Sequence, residues 1–355
     1  MTIENSHNAP DIEADPFGER SAVPGHEFQL MGGRFQFESD SPELLRLVEA
    51  AFKNLPRHRF SARPPRFRVR LILAPTTGSI AGSRRSSRRS RVPPIAMLQG
   101  AGFLGSATDG STFAILSPEE RSAVIFVSRE MLRFPYHVRY ELIEFAAFTL
   151  ASRAQRLVPL HAACVGLDGR GILLMGPSGA GKSTIALQSL LDGFEFLAED
   201  SVFVASGPMR ATGTANFLHV RADSLKWLEP AERALIRKSP TIERRSGVKK
   251  FEVDLRRPGF TLANRPLKII GVAFLSSRPG GTGPSVRRLS TADTLDRLKR
   301  EQAYGAGLPQ WRAFSRNLLR LGGVEILRGP HPSTGVDALR TLLRQGIIKY
   351  RRSPA

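Results

Sequence analysis

The run GPSGAGKS at 176–183 constrains this chain more than any other stretch in it. It satisfies G-x-x-x-x-G-K-[ST], the pattern of a glycine-rich turn whose backbone N–H groups close around phosphate oxygens. The flanks agree with that reading. GILLM at 171–175 is an apolar strand leading in, and 182–192 is a helix leading out, stopped by Gly193. Glycine permits the left-handed backbone such a turn needs, and the helix start adds its positive dipole end. Lys182 would reach the β- and γ-phosphates, and Ser183 would offer a hydroxyl to Mg²⁺. Gly176, Pro177, Ser178, Gly179, Ala180, Gly181, Lys182, Ser183 and Thr184 are the expected nucleotide contacts.

A second signal follows closely. GFEFLAED at 193–200 is a short apolar strand, 194–198, ending in adjacent carboxylates, Glu199 and Asp200. If the helix between the two strands is a crossover, the strands run parallel as neighbours and end at one sheet edge. The carboxylates then stand beside the glycine loop. One can hold Mg²⁺ while the other takes the proton of an attacking hydroxyl.

The rest of the chain divides around these signals. Residues 1–26 read as a disordered tail and 27–156 as a smaller mixed α/β domain. In it, GRFQFES and RFRVRLIL alternate as strands, with Phe67, Val69 and Leu71 on one face and arginines on the other. Ser41 and Pro42 start a helix running to about Lys53. STFAILS and SAVIFVS form a hairpin around Pro118-Glu119, and a helix spans 140–153. AGSRRSSRRSRVPP, 81–94, reads as a solvated basic loop. Residues 157–346 form the phosphate-binding domain, opened by a hairpin around Asp168-Gly169-Arg170. Strands are expected near 201–205, 216–221, 251–255 and 268–275, with helices near 223–237, 291–303 and 333–345. That alternation gives an α/β class. Residues 347–355 are a second tail.

Composition narrows the partners. The formal charge of +20 comes from 52 Lys and Arg against 32 Asp and Glu, and it suits an anionic partner. The basic-plus-aromatic pattern of a nucleic-acid module is missing, so nucleic acid is not expected. Cys164 is the one cysteine, which excludes an internal disulfide and fits a reducing cytoplasm. The N-terminus is polar and acidic, unlike a signal peptide, and no stretch is apolar enough to cross a bilayer.

The segment LHAACVGLDGRGILLMGPSGAGKSTIALQSLLDGFEFLAEDSVFV, 160–204, resembles the catalytic core of HPr kinase/phosphorylase, and more closely the HPr-kinase-related serine kinases of bacteria. A looser likeness extends to about 345 through PLKIIGVAFLS, RRLSTADTLDRL and GVEILRG. The resemblance implies a P-loop, PEP-carboxykinase-like α/β core and an ATP- and Mg²⁺-dependent kinase acting on a serine hydroxyl of a protein or peptide. It implies Mg²⁺ at Asp200, the general base at Glu199 where the family usually has aspartate, and assistance at the transferring phosphoryl group from His161. The family's E-x-R-G-x-G signature is missing from GTANFLHVRADSLKWL, so phosphorolysis and HPr as substrate are not expected. In RKSPTIERRSGVKKFEVDL, Arg244, Arg245, Lys249 and Lys250 are candidates to close positive charge over the γ-phosphate. Two alternatives stay open: a nucleotide-binding regulatory or assembly protein that transfers nothing, and a kinase of a free small molecule. A homo-oligomer is compatible with either.

Overall fold

The structure is a computed structural model that describes residues 23–74, 92–108, 111–279 and 286–347. The expected tails at 1–22 and 348–355, and basic-loop residues 81–91, lie outside the described residues.

Seven strands build the first sheet: β1 (Gly25–Leu30), β2 (Gly33–Glu38), β3 (Arg66–Leu73), β4 (Ala96–Gly100), β5 (Phe103–Ala107), β6 (Phe113–Ser117) and β7 (Ser122–Val127). Their order is β1-β2-β3-β7-β6-β5-β4, parallel only at β2–β3 and β3–β7. Alternation places Phe35, Phe37, Phe67, Val69 and Leu71 inward, where Phe35 stacks on Phe67 at 4.4 Å and Phe37 on Phe52 at 5.2 Å. Phe52 comes from the helix Pro42–Phe52, whose Ser41 hydroxyl accepts from Leu44 N as an N-cap.

Three expectations need correction here. Gly25 and His26 belong to β1 and not to a tail, because they pair with Glu38 and Phe37. Arg70 is buried although the alternation of β3 put the arginines on the outer face. The helix expected from 140 to 153 starts earlier, at Pro135, and passes through a π-helical stretch, Val138–Glu144, before Phe145–Ala154.

The second sheet contains β8 (Val158–Leu160), β9 (Ala163–Leu167), β10 (Arg170–Met175), β11 (Glu195–Ala198), β12 (Val202–Ala205) and β13 (Arg210–Gly213). A small third sheet follows in sequence, with β14 (Phe217–Val220), β15 (Thr241–Glu243) and β16 (Lys249–Asp254). The second sheet is completed by β17 (Leu267–Pro279), β18 (Val286–Arg288) and β19 (Gly323–Arg328). Its path is β11-β9-β10-β17-β13-β12-β8, with β19 on the later half of β17. β9 and β10 form the expected hairpin, with Asp168 and Gly169 both at positive φ, as a two-residue turn of this type requires.

The expected βαβ unit is corrected in one respect. β11 and β10 are not neighbours: each pairs antiparallel with β9, which lies between them. Two antiparallel steps make β11 parallel to β10, so their ends still share a sheet edge. β10, β17 and β19 are parallel in direct contact. Four strands therefore end on one side.

The helix Lys182–Leu191 packs Ala186, Leu187 and Leu190 into one core with Val336, Leu339 and Leu342 of the helix Ser333–Gln345. Ile347 joins that core, which corrects its assignment to a tail. A helix the sequence reading omitted, Trp311–Leu321, buries Trp311, Phe314 and Leu318 at helical spacing against the other sheet face. No described helix is long and apolar enough to cross a membrane.

Candidate phosphate site

A cavity of about 680 Å³ opens at the carboxyl ends of the four parallel strands. Its lining includes Pro177–Ile185 after β10, Asp200 after β11, Leu275 and Ser276 from β17, and Leu327 and Arg328 from β19. Open parallel sheets characteristically bind ligands in this position, because the loops and helix starts converge there.

The glycine loop is shaped from its backbone. Gly176, Gly179 and Gly181 have φ of +148°, +83° and +98°, and a Cβ at Gly176 would stand 2.7 Å from Leu275 O. At Gly179 and Gly181 a Cβ would meet nothing within 4 Å, so that side of the loop is open. Gly181 begins the helix Lys182–Leu191 with no side-chain cap, which leaves its first N–H groups to the cavity. Lys182 is mostly buried, and its ammonium donates to Gly176 O at 2.5 Å and Pro177 O at 3.4 Å. Burial pulls its pKa down, against the opposing charges of Asp200, Glu301 and Glu199.

The two adjacent carboxylates part company. They follow the end of β11, where the chain bends, and their side chains reach different partners. Asp200 lines the cavity and accepts from Arg244 Nη2 at 3.3 Å. Glu199 is 5 % exposed and faces the third sheet: its Oε2 accepts from His219 N at 2.8 Å and lies 3.3 Å from His219 Nδ1, while Oε1 is buried without a partner. Burial alone would raise the Glu199 pKa, but the hydrogen bonds and charge of His219, with Lys250, hold it below the usual carboxylate range. The structure does not bring Glu199 to the cavity wall with Asp200; its carboxylate is turned to His219 instead.

The basic segment divides the same way. The turn from β15 to β16 is closed by Arg244 N to Val248 O at 2.9 Å and Gly247 N to Arg244 O at 2.8 Å. Arg244 and Lys250 line the cavity. Arg245 turns outward onto Glu141, with Nε 2.8 Å from Oε1, and also donates to Pro93 O. Lys249 is exposed beside Glu243 at 3.9 Å. His161 lines the cavity, and its backbone is fixed by Gln302, whose amide accepts from His161 N at 2.8 Å and donates to His161 O at 3.0 Å.

Behind the cavity stands a buried network that no local pattern announced. His219 of β14 faces Glu199 on one side and Glu252 of β16 on the other, each at 3.3 Å. Arg139, from the π-helical stretch, donates to Glu144 at 2.9 Å and also to Glu252. Tyr140 places its ring 5.3 Å from the Arg244 guanidinium, and burial pushes its hydroxyl up to about 12. The one available clue was a histidine on an otherwise apolar strand, FLHV. At another part of the cavity wall, Trp227 and His331 stand edge to face with centroids 5.1 Å apart.

The residues fit a nucleotide with its divalent cation. The open glycine turn, the uncapped helix start and Lys182 suit phosphates, and Ser183 and Asp200 supply hard oxygen donors. Among the described residues there is no cluster of three or more His, Cys, Asp or Glu that could hold a metal ion. Mg²⁺ does not require one, since it commonly takes one or two carboxylates and completes its shell with phosphate and water.

No family model matches the chain, and neither does any curated protein. Among solved structures, it is similar to the Hpr(Ser) kinase/phosphatase from Coxiella burnetii, at 14% identity, covering 52% of this chain and 87% of that one, with a TM-score of 0.26. A likeness of that size carries no weight for function.

Proposed function

We propose that this protein is an ATP- and Mg²⁺-dependent phosphotransferase built on a P-loop, PEP-carboxykinase-like core, residues 157–346, with a serine hydroxyl of a protein or peptide as acceptor. The observation that carries the reading is the convergence of the glycine loop, Lys182, Asp200 and Arg244 on one cavity at the ends of four parallel strands. Three contacts of opposite sign to phosphate come from two separate elements: the start of the helix Lys182–Leu191 with its Lys182 ammonium, and the Arg244 guanidinium from the turn between β15 and β16. Such an arrangement neutralises charge as it spreads over a transferring phosphoryl group.

Ser183 and Asp200 would hold Mg²⁺, which supplies further charge neutralisation when bound. Lys182 and the loop N–H groups orient the terminal phosphates. His161, held by Gln302, borders the place where an acceptor would approach. The hydroxyl oxygen forms its bond to the terminal phosphorus as the bond to the bridging oxygen breaks, and the nucleoside diphosphate departs with that electron pair. A loose transition state asks little of a base, so the hydroxyl proton can leave late, to a phosphoryl oxygen or solvent. Glu199 then acts as a positioning residue through His219. Residues 27–156 are proposed as a unit that braces the site through Arg139 and Tyr140.

The test uses γ-labelled ATP, Mg²⁺ and soluble cell extract with wild type and Asp200→Asn. Label on a macromolecule with wild type, absent with the variant, supports the reading. Label on a small molecule shifts the acceptor class. ATP binding with no transfer to any acceptor supplied leaves a nucleotide-binding regulator.

A further inference from the structure

A second cavity, of about 510 Å³, meets the first along His161, Pro177, Ser178, Leu275 and Ser276. Beyond those and Gly176, its wall carries Arg278, Arg297, Arg300, Glu301 and Glu325. None of these belongs to the glycine motif or to the basic segment at 244–250.

The charges on that wall do not cancel. Glu325 is taken up by two guanidinium groups, Arg287 at 2.6 Å and Arg297 at 2.9 Å. Glu301 is held where the Lys182 and Arg300 charges act on it, although burial is the larger influence and raises its pKa. Arg278 and Arg300 are exposed, and neither forms a salt bridge among the described residues. Two exposed guanidinium groups without a salt bridge among the described residues therefore share this cavity with Gly176 and Pro177, whose carbonyls accept from the Lys182 ammonium. That shared wall is where the terminal phosphate of a nucleotide in the first cavity would lie.

We infer that the second cavity receives the acceptor, a peptide segment whose hydroxyl is flanked by carboxylates, with Arg278 and Arg300 engaging those carboxylates and the hydroxyl laid against the His161–Ser178 wall. The inference rests on the phosphotransferase reading for the role of the hydroxyl. Recognition itself is separable from transfer. Arginine forks match carboxylate geometry, and their exposure lets them select charge without desolvating a buried ion. The open, shared wall gives the hydroxyl access to the phosphate, while the first cavity keeps the nucleotide. Placing acceptor and donor in adjoining cavities holds the two reactants together, the main contribution an enzyme of this type makes.

The test measures binding without chemistry. Fluorescence anisotropy of a labelled peptide, one serine between two pairs of aspartates, is followed with the full chain and a non-hydrolysable ATP analogue. The same serine between lysine pairs serves as control. Saturable binding of the acidic peptide, roughly tenfold weaker in the Arg278→Glu/Arg300→Glu double variant at unchanged analogue affinity, is expected. Arg278→Gln/Arg300→Gln should give a smaller loss of the same sign. Equal binding of the basic peptide, no binding of the acidic one, or undiminished binding by both double variants overturns the inference. Displacement of the acidic peptide by free phosphoserine but not by unlabelled acidic peptide would replace the peptide with a small acid and also overturns it. Transfer of label from γ-labelled ATP to the bound peptide is scored separately: binding without transfer leaves the cavity assignment standing and sinks the phosphotransferase reading.

Discussion

Glu199 Oε2 lies 3.3 Å from His219 Nδ1 and also accepts the His219 backbone N–H at 2.8 Å. One carboxylate oxygen is thus engaged twice by a single buried residue. The same Nδ1 stands 3.3 Å from Arg244 Nη2, the donor to Asp200. It can donate to Glu199 or accept from Arg244, but not both at once. Glu199 is in this way coupled to the cavity indirectly, through the residue that positions its arginine.

The two adjacent carboxylates should consequently fail in different ways. Glu199→Gln removes the charge that balances His219 in a buried setting, and the loss of one partner of such a pair costs about 3–5 kcal/mol. Its melting temperature should fall by many degrees. Asp200→Asn should change melting little, because Asp200 is partly exposed and its ion pair is worth about 1 kcal/mol or less. It should instead lose metal-dependent transfer. Thermal melts of both variants, paired with the transfer assay, check this. A stable, inactive Glu199→Gln beside an unfolded Asp200→Asn would reverse the assignment.

The Glu199–His219 pair also sets a pH signature. Burial opposes charge on His219, but Glu199 and Glu252 raise its pKa above 6.5, and Glu199 is held below 4.5. A raised histidine contributes stability that is full below 6.5 and lost as pH climbs through its folded value. A depressed glutamate contributes stability that is full above 4.5 and lost as pH falls through its folded value. Their joint contribution is therefore greatest between 4.5 and 6.5. The Arg244 guanidinium beside the same cluster has its pKa raised further above the ordinary arginine value, so it does not move that window. The melting difference between wild type and His219→Gln should be largest there and shrink as pH rises above it. A difference that grows with pH would show His219 to be neutral in the folded protein.

Lys182→Ala should weaken nucleotide binding by roughly ten- to a hundredfold, the value of one charge-assisted contact to phosphate. The fold should survive, since the lost ammonium bonds only to the Gly176 and Pro177 carbonyls. Calorimetric titration with an ATP analogue, with and without Mg²⁺, reads the effect. Unchanged affinity would remove the glycine loop from the site.

The local half of this site was legible in the sequence, and the assembled half was not. A strand, a glycine turn and a helix start lie within one continuous stretch, so pattern alone places Lys182 and Ser183. Asp200 and Glu199 were found as a pair, yet their division required knowing that the third sheet covers Glu199 while Asp200 is left to the cavity. His219, Glu252, Arg139 and Tyr140 come from three distant segments. Nothing in their local spacing joins them, because tertiary packing alone does so. The interposed strand β9 escaped for the same reason: a hairpin and a crossover are each legible, but which strand lies between β10 and β11 is decided by pairing.

Arg139 provides the sharpest test of how the first part of the chain braces the site. Its guanidinium reaches Glu144 on its own helix and Glu252 on β16, and it lies 4.1 Å over the Phe217 ring. Glu144 is further tied to Asn216 at 3.1 Å, so the helix and the third sheet share one polar seam. Both carboxylates are buried or nearly so, and Arg139→Met would strand them at a cost of about 3–5 kcal/mol. Adding Glu144→Gln to that variant removes one stranded charge, so the double variant should recover about 1 kcal/mol or more relative to additivity. Denaturant unfolding of wild type, both single variants and the double variant measures the coupling. Strict additivity would mean that the seam is not an energetic unit. If coupling is found together with weaker nucleotide binding in folded Arg139→Met, the seam extends its influence through Glu252 and His219 to Arg244.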